Sequence, residues 1–158
     1  MESQVLLKSD HSGVLVDSPA QRWLDEIEVQ MLRGNVVDIP VGHLQTPGIY
    51  SRTMFAKAGT VITSMVHKTE HPFVLAQGSL RIFIEGEGVV ELHAPYLGVT
   101  KPGTRRLAYV VEDVIWTTFH ATEETDLERI EAALIEPHLV DGRNLHFEYL
   151  EALRRLPA

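Results

Sequence analysis

Residues 59–78 read Gly59-Thr60-Val61-Ile62-Thr63-Ser64-Met65-Val66-His67-Lys68-Thr69-Glu70-His71-Pro72-Phe73-Val74-Leu75-Ala76-Gln77-Gly78. Two β-rich runs flank a polar turn, and glycines close the outer ends. Such runs bounded by Gly and Pro are strand signals. Side chains alternate faces along a strand. If His67 points inward, so do Met65 and Thr63; if His71 does, so do Phe73 and Leu75. A third histidine, His120, ends the apolar run Val114-Ile115-Trp116-Thr117-Thr118-Phe119 and shares a face with Thr118 and Trp116. Imidazole suits Fe, Zn, Cu and Ni, so three imidazoles in one barrel interior would form a metal site. The spacing leaves other readings open. His67 and His71 are also an i, i+4 pair that a short helix would bring together. Equally, they can bond to backbone at a hairpin while His120 is a satisfied core residue.

The strand grammar extends both ways from this stretch. Runs at 36–39, 48–57, 60–67, 71–77, 80–85, 89–93, 98–101, 106–111 and 114–120 are rich in Val, Ile, Thr, Phe and Tyr. Turn signals separate them at Ala58-Gly59, Gln77-Gly78, Glu85-Gly86-Glu87-Gly88, Ala94-Pro95, Pro102-Gly103 and Glu112-Asp113. Short strands at this spacing predict a mainly β barrel or sandwich. The flanks differ. Residues 1–17 read as an extended lead with a turn at Ser12-Gly13. Ser18-Pro19 opens a helix whose stripe is Trp23, Ile27 and Met31, with Leu24 beside it, and Gly34-Asn35 ends it. A second helix over 126–136 is capped by Thr122 or Thr125 and stopped by Pro137; a third spans 144–156. The expectation is one domain over 1–158: an N-terminal extension and helix (1–35), the barrel (36–120) and C-terminal helices (121–158).

Composition excludes several classes. The chain has 158 residues, 44% of them apolar, which is enough for one buried core. It contains no cysteine, so disulfides, thiolate ligands and a catalytic thiol are all excluded. A formal charge of −8 argues against a nucleic-acid partner, which needs a basic stripe. The acidic runs at Asp25-Glu26-Ile27-Glu28 and Glu123-Glu124-Thr125-Asp126 read as solvated helix faces and helix starts. No apolar run approaches the ~20 residues of a membrane helix, so no membrane partner is expected. Met1-Glu2-Ser3-Gln4 lacks a basic segment leading into an apolar run, so no signal peptide is expected and a cytoplasmic location is. The apolar stripe from Leu145 to Leu156 needs a surface to cover it, either this chain's own barrel or a second copy in a homo-oligomer.

Gly59, His67 and Gly78 occupy places that resemble the first motif of the cupins, and Thr100-Lys101-Pro102-Gly103-Thr104 resembles the Pro-Gly turn of the second. The resemblance covers about residues 48–120 and is to small cupin-like proteins of bacteria and bacterial viruses; it implies a cupin-type antiparallel β-barrel (jelly-roll) and brings no activity with it. The chain departs from the motif in three places. Met65 stands where the first histidine would be, His71 where the glutamate would be, and Arg106 where the second-motif histidine would be. What the resemblance then implies is a three-histidine face, His67, His71 and His120, holding a divalent Fe, Zn, Ni or Mn with positions open.

A basic set accompanies it. Arg52 alternates with Tyr50 and Met54, and Arg106 follows the Pro-Gly turn. A guanidinium fork suits carboxylate or phosphate, so Arg52 and Arg106 are candidates for binding a small anionic molecule. Tyr50 and Tyr109 are candidates for moving a proton. The plainer reading pairs Arg52 and Arg106 with Glu85, Glu91 or Glu112. Three functions are carried forward: a metal-binding cupin, possessing enzyme activity of dioxygenase, isomerase or lyase type or not; a non-enzymatic ligand-binding or interaction module; and a metal-free isomerase or epimerase with His67 or His71 as base.

Overall fold

A computed structural model describes residues 18–84 and 88–157. The extended lead and the turn at Ser12-Gly13 lie outside the described residues, as does Glu85. The chain divides into two compact units, one of them containing Ile39–Glu136 and the other the stretch up to Asp38 together with the stretch from Pro137 onward.

The first unit holds β1 (Val41–Thr46), β2 (Ile49–Ala56), β3 (Val61–Thr63), β4 (His71–Ile84), β5 (Gly88–His93), β6 (Tyr96–Thr100), β7 (Leu107–Ala121) and helix α2 (Leu127–Leu134). All pairings are antiparallel, and the sheet order is β1-β2-β7-β4-β5, with β3 added to β7 and β6 to β4. Two long strands organise it. The first part of β4 pairs with β6 and its last part with β5, while β7 pairs with β3 at its start and β2 at its end. β4 and β7 pair with each other along most of their length, through register shifts between Leu75 and Leu80. At that bulge Gly78 has φ +83°, and a Cβ there would lie 2.2 Å from the Asp113 carbonyl oxygen. Only glycine fits this backbone approach. Ala56, Leu75, Leu80, Ile82, Val110 and Val114, drawn from β2, β4 and β7, form one buried cluster. This is a mainly β, antiparallel fold organised by β4 and β7.

Several expected boundaries change. The turns predicted at Gln77-Gly78 and Glu112-Asp113 are bulges inside β4 and β7, so four expected strands are two. Residues 36–39 form no strand; the strand lies at Val41–Thr46, whose mixed polar sequence suits an exposed edge. The stretch 60–67 is a strand only through Thr63. Helix α2 is capped by Asp126, whose carboxylate accepts from the Arg129 amide. The Thr122 hydroxyl instead accepts from the Glu124 amide, upstream of the helix. α2 belongs with the barrel rather than with a separate C-terminal group.

The second unit contains α1 (Pro19–Arg33), the short pair β8 (Leu139–Val140) and β9 (Arg143–Asn144), and α3 (Leu145–Arg154). Ser18 caps α1, accepting from the Gln21 amide, and Asn144 caps α3, accepting from the Phe147 amide. His138 Nε2 lies 2.8 Å from an Asp25 carboxylate oxygen, and the Tyr149 hydroxyl donates to the Val37 carbonyl. Among the described residues no helix is long and apolar enough to cross a membrane.

Candidate metal centre

Alternation along the strands decides what meets inside the barrel. On β7, Val114, Trp116, Thr118 and His120 face inward, opposite Ala56, Met54, Arg52 and Tyr50 of β2. On β4, Leu75 pairs with Trp116 and Phe73 with Thr118. His71 lies two residues further along the same face, and its partner on β6 is Thr100. His71 and His120 therefore arrive side by side from neighbouring strands. His67 comes from an extended segment beyond β3. The Ser64 amide donates to the Arg106 carbonyl, the Gly103 amide to the His67 carbonyl, the Glu136 amide to the Val66 carbonyl and the Lys68 amide to the Leu134 carbonyl. A bridge to Ile135 completes the hold on His67. The end of α2 thus helps to place the third histidine.

The rings form a close triangle. Centroid separations are 4.4 Å for His67–His71, 4.4 Å for His71–His120 and 5.3 Å for His67–His120. One ring nitrogen of each lies within 4.8 Å of the others. His71 and His120 are buried, with 3% and 4% of their surface exposed. His71 Nδ1–H donates to the Thr69 carbonyl at 3.1 Å, which leaves the Nε2 lone pair free. His120 Nε2 lies 3.0 Å from the Thr118 hydroxyl, while its Nδ1 is buried with no hydrogen-bond partner. In the tautomer where Nε2–H donates to Thr118, that orphaned Nδ1 carries a lone pair. A buried polar atom without a partner is costly unless something fills the place. A metal-ligating histidine characteristically bonds a carbonyl or hydroxyl through its other nitrogen, as His71 and His120 both do.

The electrostatics point the same way. Burial, followed by the charges of His71, His120, Arg52 and Arg106, pushes the His67 pKa down to about 3. Burial, with His71 and Arg52, lowers His120 to about 4. His71 is lowered chiefly by burial, opposed by its bond to Thr69. All three imidazoles are neutral at neutral pH, the form that ligates a metal. The donor set is three neutral nitrogens in the space one ion occupies, and it fits a divalent transition metal.

Arg106 lies beside the triangle. Its guanidinium sits 5.1 Å from the Phe73 ring centroid and 5.8 Å from that of Trp116, and these two rings stack at 4.1 Å. One Nη donates to the Thr100 hydroxyl at 3.0 Å. Burial lowers its pKa to about 10. The plainer pairing fails for two of the three carboxylates: Glu91 is held by Arg81, and Glu112 accepts from Ser79. Arg52 pairs with Thr118 across β2 and β7 and is close enough to depress His67 and His120. Glu70, adjacent to His71, turns outward to Lys101.

The two tyrosines separate. Tyr50 is buried, stacks on His120 at 5.9 Å between centroids, and its hydroxyl hydrogen-bonds His43 Nδ1 at 2.7 Å. Burial raises its pKa. Tyr109 does not join the site. It lies near the start of β7, far along the strand from His120, faces outward and is 44% exposed. The parity that turns Arg106 inward already places Tyr109 outside. His43 was not among the expected site residues because β1 was not expected as a strand. Thr118 was legible as a cavity-facing threonine, but its bond to His120 was not.

The class follows from these strands and this cluster: a mainly β antiparallel fold with a three-histidine group of the size that could hold a metal ion. No known family's sequence profile and no curated protein matches the sequence. Among solved structures, the chain is similar to a conserved protein with a double-stranded β-helix domain from Klebsiella pneumoniae, at 20% identity over 69% of this chain and 94% of that one, with a TM-score of 0.48. It is also similar to an RmlC-like cupin from Methanocaldococcus jannaschii (8% identity, 58% and 85% covered, TM-score 0.45). A third is an acetylacetone dioxygenase from Acinetobacter johnsonii (17% identity, 52% and 59% covered, TM-score 0.44).

Proposed function

We propose that this protein is a metal-binding cupin in which His67, His71 and His120 hold one divalent Fe, Zn, Ni or Mn, and that it binds a small anionic molecule beside the metal. The observation that carries this reading is the buried, unpartnered His120 Nδ1 in a group of three histidines that each bring one ring nitrogen within 4.8 Å of the others. An ion held there supplies Lewis-acid polarisation of a ligand oxygen. The chain's own residues do the rest. Thr118 and the Thr69 carbonyl fix the orientation of two of the rings. Arg106, bonded to Thr100 and lying over Phe73 and Trp116, offers its guanidinium to an anion. Tyr50 backs His120 and, with His43, forms a hydroxyl–imidazole pair on the β2 side of the site. A metal-free isomerase using His67 or His71 as base is less well supported, because burial lowers both imidazoles, His67 to about 3, and weakens them as bases. A non-enzymatic ligand-binding module draws support from the interior below the triangle, which Phe73, Leu75 and Trp116 fill.

Calorimetric titration of metal-stripped protein with Zn²⁺, Ni²⁺ or Mn²⁺ tests the reading. One site per chain is expected, abolished in His67→Ala. Absence of binding for every metal, or binding that survives His67→Ala unchanged, would overturn it.

A further inference from the structure

Arg52 and Arg106 both act on the triangle through their charge. Two guanidiniums approach it, Arg52 from β2 and Arg106 through its bond to Thr100, the β6 partner of His71. Among the described residues, no carboxylate is bonded to Arg106, and the three ligands are themselves neutral. A divalent ion placed here enters a site that repels it, since like charges in a partly dry interior interact strongly. Likewise, an anion next to Arg106 without the metal meets a single half-occupied fork.

We infer that metal and a small carboxylate bind this site cooperatively, with the carboxylate bridging the ion and the free edge of the Arg106 guanidinium. The inference rests on the metal-binding reading above and adds the ligand class and the coupling. Carboxylate is favoured by the fork geometry, because two parallel N–H donors match its two oxygens. The guanidinium lies over the Phe73 and Trp116 rings, which pack against it beside Thr100. Thr100 occupies one Nη, leaving the other donors for the ligand. Coupling of this kind is reciprocal: whatever factor the carboxylate adds to metal affinity, the metal adds to carboxylate affinity.

The arrangement makes an uncommon directional prediction. Removing Arg106 removes a repulsive charge, so metal alone should bind more tightly while the benefit of carboxylate disappears. A merely structural role would weaken both. The experiment is a titration of Co²⁺ into metal-stripped protein, read by visible absorption, with and without acetate at constant ionic strength set by perchlorate. For the unmodified chain, acetate is expected to lower the Co²⁺ Kd by about 5- to 150-fold, the usual range of coupling between sites. For Arg106→Gln, the Kd without acetate is expected to fall by about threefold or more, and acetate to have no further effect. Arg106→Lys, which keeps the charge without the fork, is the second variant, and its acetate effect should fall well below that of the unmodified chain. Co²⁺ binding that depends on His67 but ignores acetate would overturn the coupling and leave the metal site standing. Arg106→Gln protein that binds Co²⁺ more weakly under both conditions would also overturn it. No Co²⁺ binding with or without acetate would remove the metal reading and this inference together.

Discussion

The barrel interior has two poles built on the same three strands. At one, Ala56 of β2, Leu80 and Ile82 of β4, and Val110 and Val114 of β7 make a dry apolar cluster. At the other, the same β2, β4 and β7 present Tyr50 and Arg52, His71, and Thr118 and His120. Burial acts oppositely at the two. For the aliphatic side chains, removal from water stabilises the fold by about 25 cal/mol per Å². For the imidazoles, it penalises the charged form and holds them neutral. One pole therefore supplies stability, and the other spends some of it to keep nitrogen lone pairs available. A fold that puts a ligand set at the end of a rigid sheet gains the precision of the sheet for the site.

Substitutions should separate the poles. The largest effect is expected from His71→Ala combined with His120→Ala, which should eliminate metal binding while leaving a cooperative unfolding transition; circular dichroism and metal titration of the same sample check both halves. Leu75→Ala, at a fully buried position of the apolar cluster, should cost about 2–5 kcal/mol of stability by denaturant unfolding, with metal stoichiometry unchanged. If Leu75→Ala abolished metal binding in protein still folded, the two poles would not be separable.

Thr118→Val tests the orientation of His120 without touching a ligand. Loss of its hydrogen bond should weaken metal affinity by about 10–100-fold, the usual cost of removing such a support, with little change in unfolding midpoint. The smallest substitution effect is expected for Tyr50→Phe. It keeps the stack on His120 and loses the bond to His43, a change of about 0.5–1.5 kcal/mol in stability.

The pH dependence follows from the lowered histidine pKa values. In the unfolded chain these imidazoles take up protons near the ordinary value of 6.5, whereas folded His67 and His120 do so only near about 3 and about 4. Between those values the unfolded state binds more protons. Stability is therefore full above about pH 6.5 and is lost progressively as the pH falls toward 4 and below. Replacing His67 and His120 with Gln should flatten that decline in acid unfolding curves, and an unchanged decline would show that these histidines are not protected.

Much of this was legible in the sequence, for identifiable reasons. Period-two alternation made His71, His120 and Arg52 with Tyr50 candidates for inward faces, because side chains alternate along a strand, whereas the three-histidine set came from the cupin resemblance and His67 lies beyond the end of β3. The N-cap at Ser18 was legible because the cap chemistry is local. What failed was punctuation. Gly78 reads as a turn, yet its positive φ and the close Asp113 carbonyl make a bulge inside a continuous strand. The polar edge strand β1 carries few apolar residues, with Leu44 72% exposed, so its alternation gave no signal and His43 went with it. Tyr109 was set among the candidates for its hydroxyl, although its parity with Arg106 argued against it. The support of His67 by the end of α2 is a long-range contact that no local pattern encodes.

The central claim is that three buried, neutral histidines hold a metal. Elemental mass spectrometry of protein purified without an affinity His-tag or chelator tests it most directly. Near one Fe, Ni, Zn or Mn per chain, lost in His67→Ala, is the expected result. Protein that carries no metal as purified, and that no added divalent ion stabilises, would contradict it.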